Sequence, residues 1–305
     1  MSAPAKVGFV GLGAMGAPLA EALSDAGHEL VVYDRDPTRI ELLVSGGAVA
    51  ASSSREVADR AELVFVSLPT PDIVRDVACG HDGLVGGAAL KTYVDLSTTG
   101  AAVAAEVAAF FREGGVDVVD APVSGGVAGA RARTLAVMAA GADDVFGRVE
   151  PYLRCFGKNV FLVGHEPGQG QIAKLLNNLL SATAVAITSE ALAFGVESGL
   201  EPATLLDVFN AGSGRNTATS DKFPTHVITR RFGSGFRLGL MAKDVELCLA
   251  EARVKRFPLV LGGLVQQLWT LAAANAAPEA DHTEFVRLIE GWTSTSIGSG
   301  AGGET

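Results

Sequence analysis

Two kinds of hydrophobic pattern divide this chain, and the change falls near Gly164. Before it, short β-branched runs recur at residues 7–10, 30–33, 63–68, 93–96, 116–119, 135–138 and 160–163. Most are apolar without period-two alternation, which marks strands buried on both faces. Helix-like stretches lie between the early runs, at residues 15–26, 37–45, 72–78 and 100–112. Strand–helix alternation of this kind calls for a mainly parallel sheet with crossover helices.

After Gly164 the strand signal stops. From about Gly170 to Gly199 there is no proline, and Gly195 is the single internal glycine. One continuous helix there would be about 42 Å long, well beyond an ordinary globular helix. Further helical pattern follows at residues 202–210, 240–252, 258–273 and 283–290. The expected fold is therefore an α/β Rossmann-like N-terminal domain over 1–166, a long connecting helix over 167–199, and an all-α C-terminal domain over 200–292. The Ser/Gly/Thr-rich tail, 293–305, is expected to be frayed.

Composition narrows the function. The chain has 305 residues, 48% of them hydrophobic, and a formal net charge of −10. That charge argues against a general binder of nucleic acid or anionic membranes, though not against a small anionic substrate. Cys79, Cys155 and Cys248 are too few and too widely spaced for a disulfide framework or a CxxC clamp. The five histidines are scattered, so no metal site is expected. No membrane-spanning run and no signal peptide is read, and a cytoplasmic location is expected.

The strongest local signal is Val7–Val10 followed by Gly11-Leu12-Gly13-Ala14-Met15-Gly16. A strand that runs into G-x-G-x-x-G and then a helix is the context a dinucleotide requires. Gly11 permits the tight turn, Gly13 the approach of a diphosphate, and Gly16 close helix–strand packing. The helix N-terminus supplies free N–H groups and a positive dipole end. Asp34, about 20 residues on, is placed for the adenosine ribose hydroxyls and favours NAD. Arg35 beside it could pair with a 2′-phosphate, which keeps NADP as the alternative. The loops at Ser67-Leu68-Pro69-Thr70 and Asp95-Leu96-Ser97-Thr98 follow later strands and point to the same side.

Two further segments carry candidate chemistry. Asp120 to Ala130 ends a strand in small residues, where Ser124, Gly125 and Gly126 can present donors to a carboxylate. Gly168 to Asn178 opens the long helix. There Lys174 and Asn178 stand at i and i+4 and share a face, with Gln171 beside them. A lysine among apolar neighbours is suited to exchange a proton with an alcohol or carbonyl oxygen.

Together these motifs resemble the β-hydroxyacid dehydrogenases, the relatives of 3-hydroxyisobutyrate dehydrogenase. The motifs that match are G-x-G-x-M-G at Gly11 to Gly16, D-x-P-V-S-G-G-x-x-G-A at Asp120 to Ala130, G-x-G-x-x-x-K-x-x-N-N at Gly168 to Asn178, and the late Lys243-Asp244. The resemblance implies hydride transfer between a nicotinamide cofactor and a small 3-hydroxy acid or its semialdehyde. It implies Lys174 as the catalytic acid/base, Asn178 as the residue that orients substrate, and Ser124, Gly125 and Gly126 as carboxylate ligands. Leu68, Pro69 and Thr98 match cofactor contacts, and Lys243 would lie near the nicotinamide. A homodimer or homotetramer is implied as well. The alternatives are a reductase of imines or another carbonyl class on the same scaffold, and a non-catalytic nucleotide-binding protein.

The chain departs from the pattern at Arg133, where the family usually has glycine before Thr-Leu. Arg131 and Arg133 are read as surface charges, with a second anionic group on the substrate as the alternative. Within residues 212–222, Arg215 and Lys222 are candidates for substrate selection, and a solvated loop is the competing reading.

Overall fold

In this computed structural model residues 6–298 are described. Packing divides the chain into two units, one up to Lys174 and one from Leu175 onward. The division falls a little beyond the Gly164–Gly168 region expected from sequence and lies inside the long helix.

The first unit is built on a sheet of nine strands. In chain order they are β1 (Val7–Val10), β2 (Leu30–Tyr33), β3 (Val49–Ala50), β4 (Leu63–Val66), β5 (Thr92–Asp95), β6 (Asp117–Asp120), β7 (Val123–Ser124), β8 (Leu135–Ala140) and β9 (Gly157–Gly164). The order across the sheet is β3-β2-β1-β4-β5-β6-β8-β7, with β9 beside β8. Strands β1 to β6 pair in parallel, β8 runs antiparallel to β6 and β7, and β9 is parallel to β8. The helices are α1 (Gly16–Asp25), α2 (Pro37–Ser45), α3 (Ser54–Arg60), α4 (Pro71–Cys79), α5 (Ala101–Glu113), α6 (Gly126–Arg131) and α7 (Asp143–Leu153).

Register places the chemistry. Val10 pairs with Tyr33 and with Val66, Val66 with Asp95, and Asp95 with Asp120. The carboxyl ends of β2, β1, β4, β5 and β6 are therefore level, and the loops that follow them emerge along one edge. From β1 the chain runs outward through β2 and β3 and then crosses to β4 on the other side of β1, which makes the boundary of β1 and β4 the switch point where open α/β sheets bind ligands. Strands β1 and β5 are buried throughout, as their unalternating sequences predict. Strand β9 is not, since Phe161 and Val163 lie exposed.

Among its described residues, the regular elements of the second unit are all helices, joined by loops and one isolated bridge between Arg237 and Asp281. The unit holds most of α8 (Gln169–Glu197), then α9 (Pro202–Ala211), a π-helix at Ala218–Val227, α10 (Leu238–Val254), α11 (Val260–Asn275), a 3-10 turn at His282–Phe285 and α12 (Val286–Thr293). Leu175, Ala182, Val185, Leu192 and Ala193 of α8 pack into its core with Phe223, Met241, Val245 and Trp269. The Trp269 indole N–H donates to the Ala182 carbonyl at 3.2 Å and stacks in a tilted arrangement on Phe285.

Three expectations are corrected. The expectation of no membrane-length apolar segment fails for α8. By length and composition that helix could span a membrane, with a mean hydropathy of 1.6 over its best window, half of which is buried within the protein. The tail expected to fray from residue 293 is ordered through residue 298. Thr293 closes α12, Ile297 is fully buried, and Ile297 N–H donates to Glu290 at 2.7 Å. Residues 299–305 lie outside the described residues. The segment 212–222 is also not simply a loop. Asn216 Oδ1 accepts from the N–H groups of Ala218 and Thr219 and starts the π-helix.

Candidate active site

The glycine turn is shaped as its sequence requires. Gly11 has φ +91°, and a Cβ there would stand 2.3 Å from the Ser67 carbonyl oxygen. A Cβ at Gly16 would stand 1.8 Å from the carbonyl oxygen of Gly11. Neither position tolerates a side chain, so turn and helix are locked against β4. Gly13 differs, because a Cβ there would meet only the far end of Arg39. Its open side faces a cleft of about 460 Å³ lined by Leu12, Gly13, Ala14, Arg39 and Arg131, among others. Helix α1 starts with no side-chain cap and no acid in its first turn, which leaves its N–H donors for an anion. The turn fits a dinucleotide diphosphate.

Asp34 is 9% exposed and already partly engaged. Its Oδ2 accepts the Leu12 N–H at 2.7 Å and its Oδ1 accepts the Asp36 N–H at 2.9 Å. Each oxygen keeps a second lone pair for a ribose hydroxyl. Arg35 lies exposed. The cation that faces Asp34 is Arg39, at 3.8 Å, which also pairs with Asp36 at 3.3 Å. Sequence reading missed Arg39, although its place in the first turn after the Asp36 cap of α2 was a usable signal.

The loops after β4, β5 and β6 are tied together. Leu68 N–H donates to Ser97 Oγ at 2.9 Å, and Ser97 N–H donates to Asp95 Oδ1 at 2.8 Å. The Leu68 side chain crowds Gly11, Pro69 is exposed, and Thr98 is half-buried in the next loop. Gln171 completes the tie. Its amide nitrogen donates to the Ser97 carbonyl at 3.0 Å, and its amide oxygen accepts the Thr99 N–H at 2.9 Å. Asp120 accepts the N–H groups of Gly168 and Gln171, both at 2.8 Å. Burial pushes its carboxyl up to about 7, with Asp95 adding to the rise and the two N–H donors opposing it. Gln171 is thus committed to anchoring the start of α8.

Ser124 closes β7, and Gly125 and Gly126 lead into the short α6 with φ of +132° and +65°. A Cβ at Gly125 would press on Leu135 at 2.9 Å. Arg133 has φ +57°, the left-handed region that favours glycine. This is the physical reason a glycine suits that position. Arg133 pairs with Asp25 at the end of α1, so its charge is committed on the protein surface. Arg131 reaches the cleft over Gly13 and Ala14 instead.

On α8, Lys174 is 8% exposed and Asn178 is 4% exposed. The Asn178 amide nitrogen donates to Asp244 Oδ2 at 2.6 Å, and its oxygen accepts from the Asn177 amide at 3.1 Å. Asp244, on α10, is 2% exposed, and the ammonium of Lys243 lies 3.0 Å from its other oxygen. Asp244 is a site residue that sequence reading quoted without a role. Among the described residues no three His, Cys, Asp or Glu side chains converge as a metal site.

Comparisons with known proteins agree with this geometry. Residues 6–164 match the family described as the NAD binding domain of 6-phosphogluconate dehydrogenase. Residues 168–289 match the NAD-binding domain of NADP-dependent 3-hydroxyisobutyrate dehydrogenase. A 3-hydroxyisobutyrate dehydrogenase of Pseudomonas aeruginosa is 38% identical over 294 residues, 93% of this chain and 98% of the relative. A 2-(hydroxymethyl)glutarate dehydrogenase of Eubacterium barkeri is 33% identical over 296 residues, 97% of this chain and 98% of the relative. The structure of a Mycobacterium tuberculosis 3-hydroxyisobutyrate dehydrogenase with L-serine has a TM-score of 0.86 at 30% identity, covering 94% of this chain and 99% of that one. The class these features define is an NAD(P)-dependent oxidoreductase acting on hydroxy acids. The chain belongs to the 3-hydroxyisobutyrate dehydrogenase family of β-hydroxyacid dehydrogenases.

Proposed function

We propose that the protein interconverts a small 3-hydroxy acid and its semialdehyde, with Lys174 as general acid/base and NAD as the preferred cofactor. The observation that carries this reading is the buried pair on one face of α8, Lys174 and Asn178, with the Asn178 amide held by Asp244. Bound NAD would supply the hydride acceptor in oxidation and the donor in reduction. In oxidation the Lys174 amine takes the proton of the substrate hydroxyl, and in reduction the ammonium returns it to the nascent alkoxide oxygen. Asp244 occupies one amide proton of Asn178, and the second is left to hold that same oxygen. Burial of both side chains keeps water from competing for it.

Ser124, Gly125 and Gly126 take the substrate carboxylate in this reading, and Lys243 stands by the nicotinamide. The turn from Gly11 to Gly16 takes the diphosphate, with Leu68, Pro69 and Thr98 beside the dinucleotide. The Asp34 carboxylate selects NAD by bonding ribose hydroxyls and repelling a 2′-phosphate. The chemistry named for the relatives supports the substrate class, since 3-hydroxyisobutyrate, 2-(hydroxymethyl)glutarate and L-serine all carry a hydroxyl β to a carboxylate. A homo-oligomer is part of the proposal, supported by the exposed Leu180 and Phe194 on α8.

The test is NADH or NADPH formation with a panel of 3-hydroxy acids, each run with NAD and NADP. Turnover of at least one acid, faster with NAD, is expected, and Asp34→Ala is expected to narrow the gap between the two cofactors. Silence across the panel by protein that binds NADH would refute the proposal.

A further inference from the structure

Lys222 lies on the π-helix Ala218–Val227 and is half-buried. Its ammonium donates to Ser181 Oγ at 2.9 Å and to Thr217 Oγ1 at 3.2 Å. Both partners are hydroxyls, and among the described residues no carboxylate forms an ion pair with it. The neighbouring Asp221 is exposed and acts on it only through space. Burial lowers the Lys222 pKa, the direction expected of a cation withdrawn from water without a counter-charge. Four arginines of this unit, Arg230, Arg237, Arg253 and Arg287, are treated differently, each paired with a glutamate. Arg230, for example, is paired with Glu290. A half-buried ammonium with neutral partners is costly unless an anion completes it.

The placement says which anion. Ser181 follows Asn178 by three residues on α8, so both project from one helix face, about 4.5 Å apart along the axis. The π-helix is held in place by the Asn216 cap and by burial of Phe223, and it brings Lys222 onto that face beyond Asn178. The ammonium is therefore bonded to the residue one helical step beyond the group assigned to the reacting oxygen. Arg215, the other candidate read from sequence, is exposed and makes no ion pair among the described residues.

We propose that Lys222, steadied by Ser181 and Thr217, binds a second carboxylate at the end of a short arm on the substrate, so that the preferred substrate is a 3-hydroxy diacid. This rests on the hydroxy-acid reading above. An arm of two methylenes and a carboxylate spans the offset between Asn178 and Ser181, whereas a methyl substituent leaves the ammonium without its counter-ion. The carboxylate adds two acceptors and a full charge to a site whose hydroxyls already orient the donor.

The experiment compares three substrates under NAD: 2-(hydroxymethyl)glutarate, its distal mono-amide, and 3-hydroxyisobutyrate. The wild-type protein is expected to favour the diacid over the amide in kcat/KM by about ten- to a hundredfold, the range of a hydrogen-bonded charge pair. Lys222→Met is expected to abolish that ratio, and Lys222→Arg to restore most of it. NADH binding and thermal melting report that each variant is folded. A wild-type protein indifferent to the distal charge, or a ratio unmoved in Lys222→Met, overturns the assignment while leaving the hydroxy-acid reading intact. Silence toward all three acids and toward the wider panel overturns both.

Discussion

Replacing Asp244 by asparagine probes how the candidate site is held. Asp244 is 2% exposed, touches Asn178 at 2.6 Å and pairs with Lys243 at 3.0 Å. Its bond to Asn178 joins an amide donor to a carboxylate where water is excluded, a class worth about 1.5–3 kcal/mol. If that energy keeps the Asn178 amide aimed at the reacting oxygen, its loss costs about ten- to 150-fold in kcat/KM. Asparagine preserves shape, so the loss tests charge and orientation and not a cavity. The assay is steady-state kinetics on Asp244→Asn, Asn178→Ala and the double variant, with NADH binding and melting as controls for folding. A positioning role requires non-additivity, so the double variant is expected to be little worse than Asn178→Ala alone. Losses that multiply independently, or wild-type turnover in Asp244→Asn, would refute the reasoning.

The other predictions concern stability. The Asp120 carboxyl is pushed up to about 7 by burial, from about 3.9 in an unfolded chain. The folded state therefore keeps a proton that the unfolded chain has lost. The contribution of this one group to stability is fullest below about pH 4, declines as pH rises to about 7, and is flat above that. Denaturation at several pH values is expected to show the stability difference between the wild type and Asp120→Asn falling by this contribution between about pH 4 and 7; a difference that stays constant with pH would contradict it. Arg133→Gly relieves a left-handed backbone at the cost of an exposed ion pair with Asp25, which is worth about 0–1 kcal/mol. Melting of that variant is expected at or above the wild-type temperature, and a clear drop would show that the ion pair outweighs the strain.

Much of the first unit was legible because its signals are local. Helix α2 is an example: Asp36 caps it, Pro37 opens it, and it spans the residues read from sequence. Strands β1 and β2 also stand where their β-branched runs predicted. Helix α3 went unread although Ser53 and Glu56 form the spacing of a capping box, and Ser53 does cap it. Helices α6 and α7 were hidden by glycines and by Pro151, residues that lower helix propensity but that packing overrides here. The site divides in the same way. Gly11, Gly13, Gly16 and the spacing of Lys174 and Asn178 are local patterns. Arg39 on Asp34, Asp244 on Asn178, and Lys222 on Ser181 are tertiary meetings, the last two across dozens of residues, and no periodicity encodes them.

Proton exchange by Lys174 is the centre of the account. The most direct measurement is the single-turnover rate of Lys174→Ala with saturating NAD and the best acid of the panel, beside its NADH affinity. General acid/base help is worth about 10²–10⁴-fold, so the hydride step is expected to slow by at least a hundredfold while NADH still binds. A Lys174→Ala protein that transfers hydride at the wild-type rate would contradict the account.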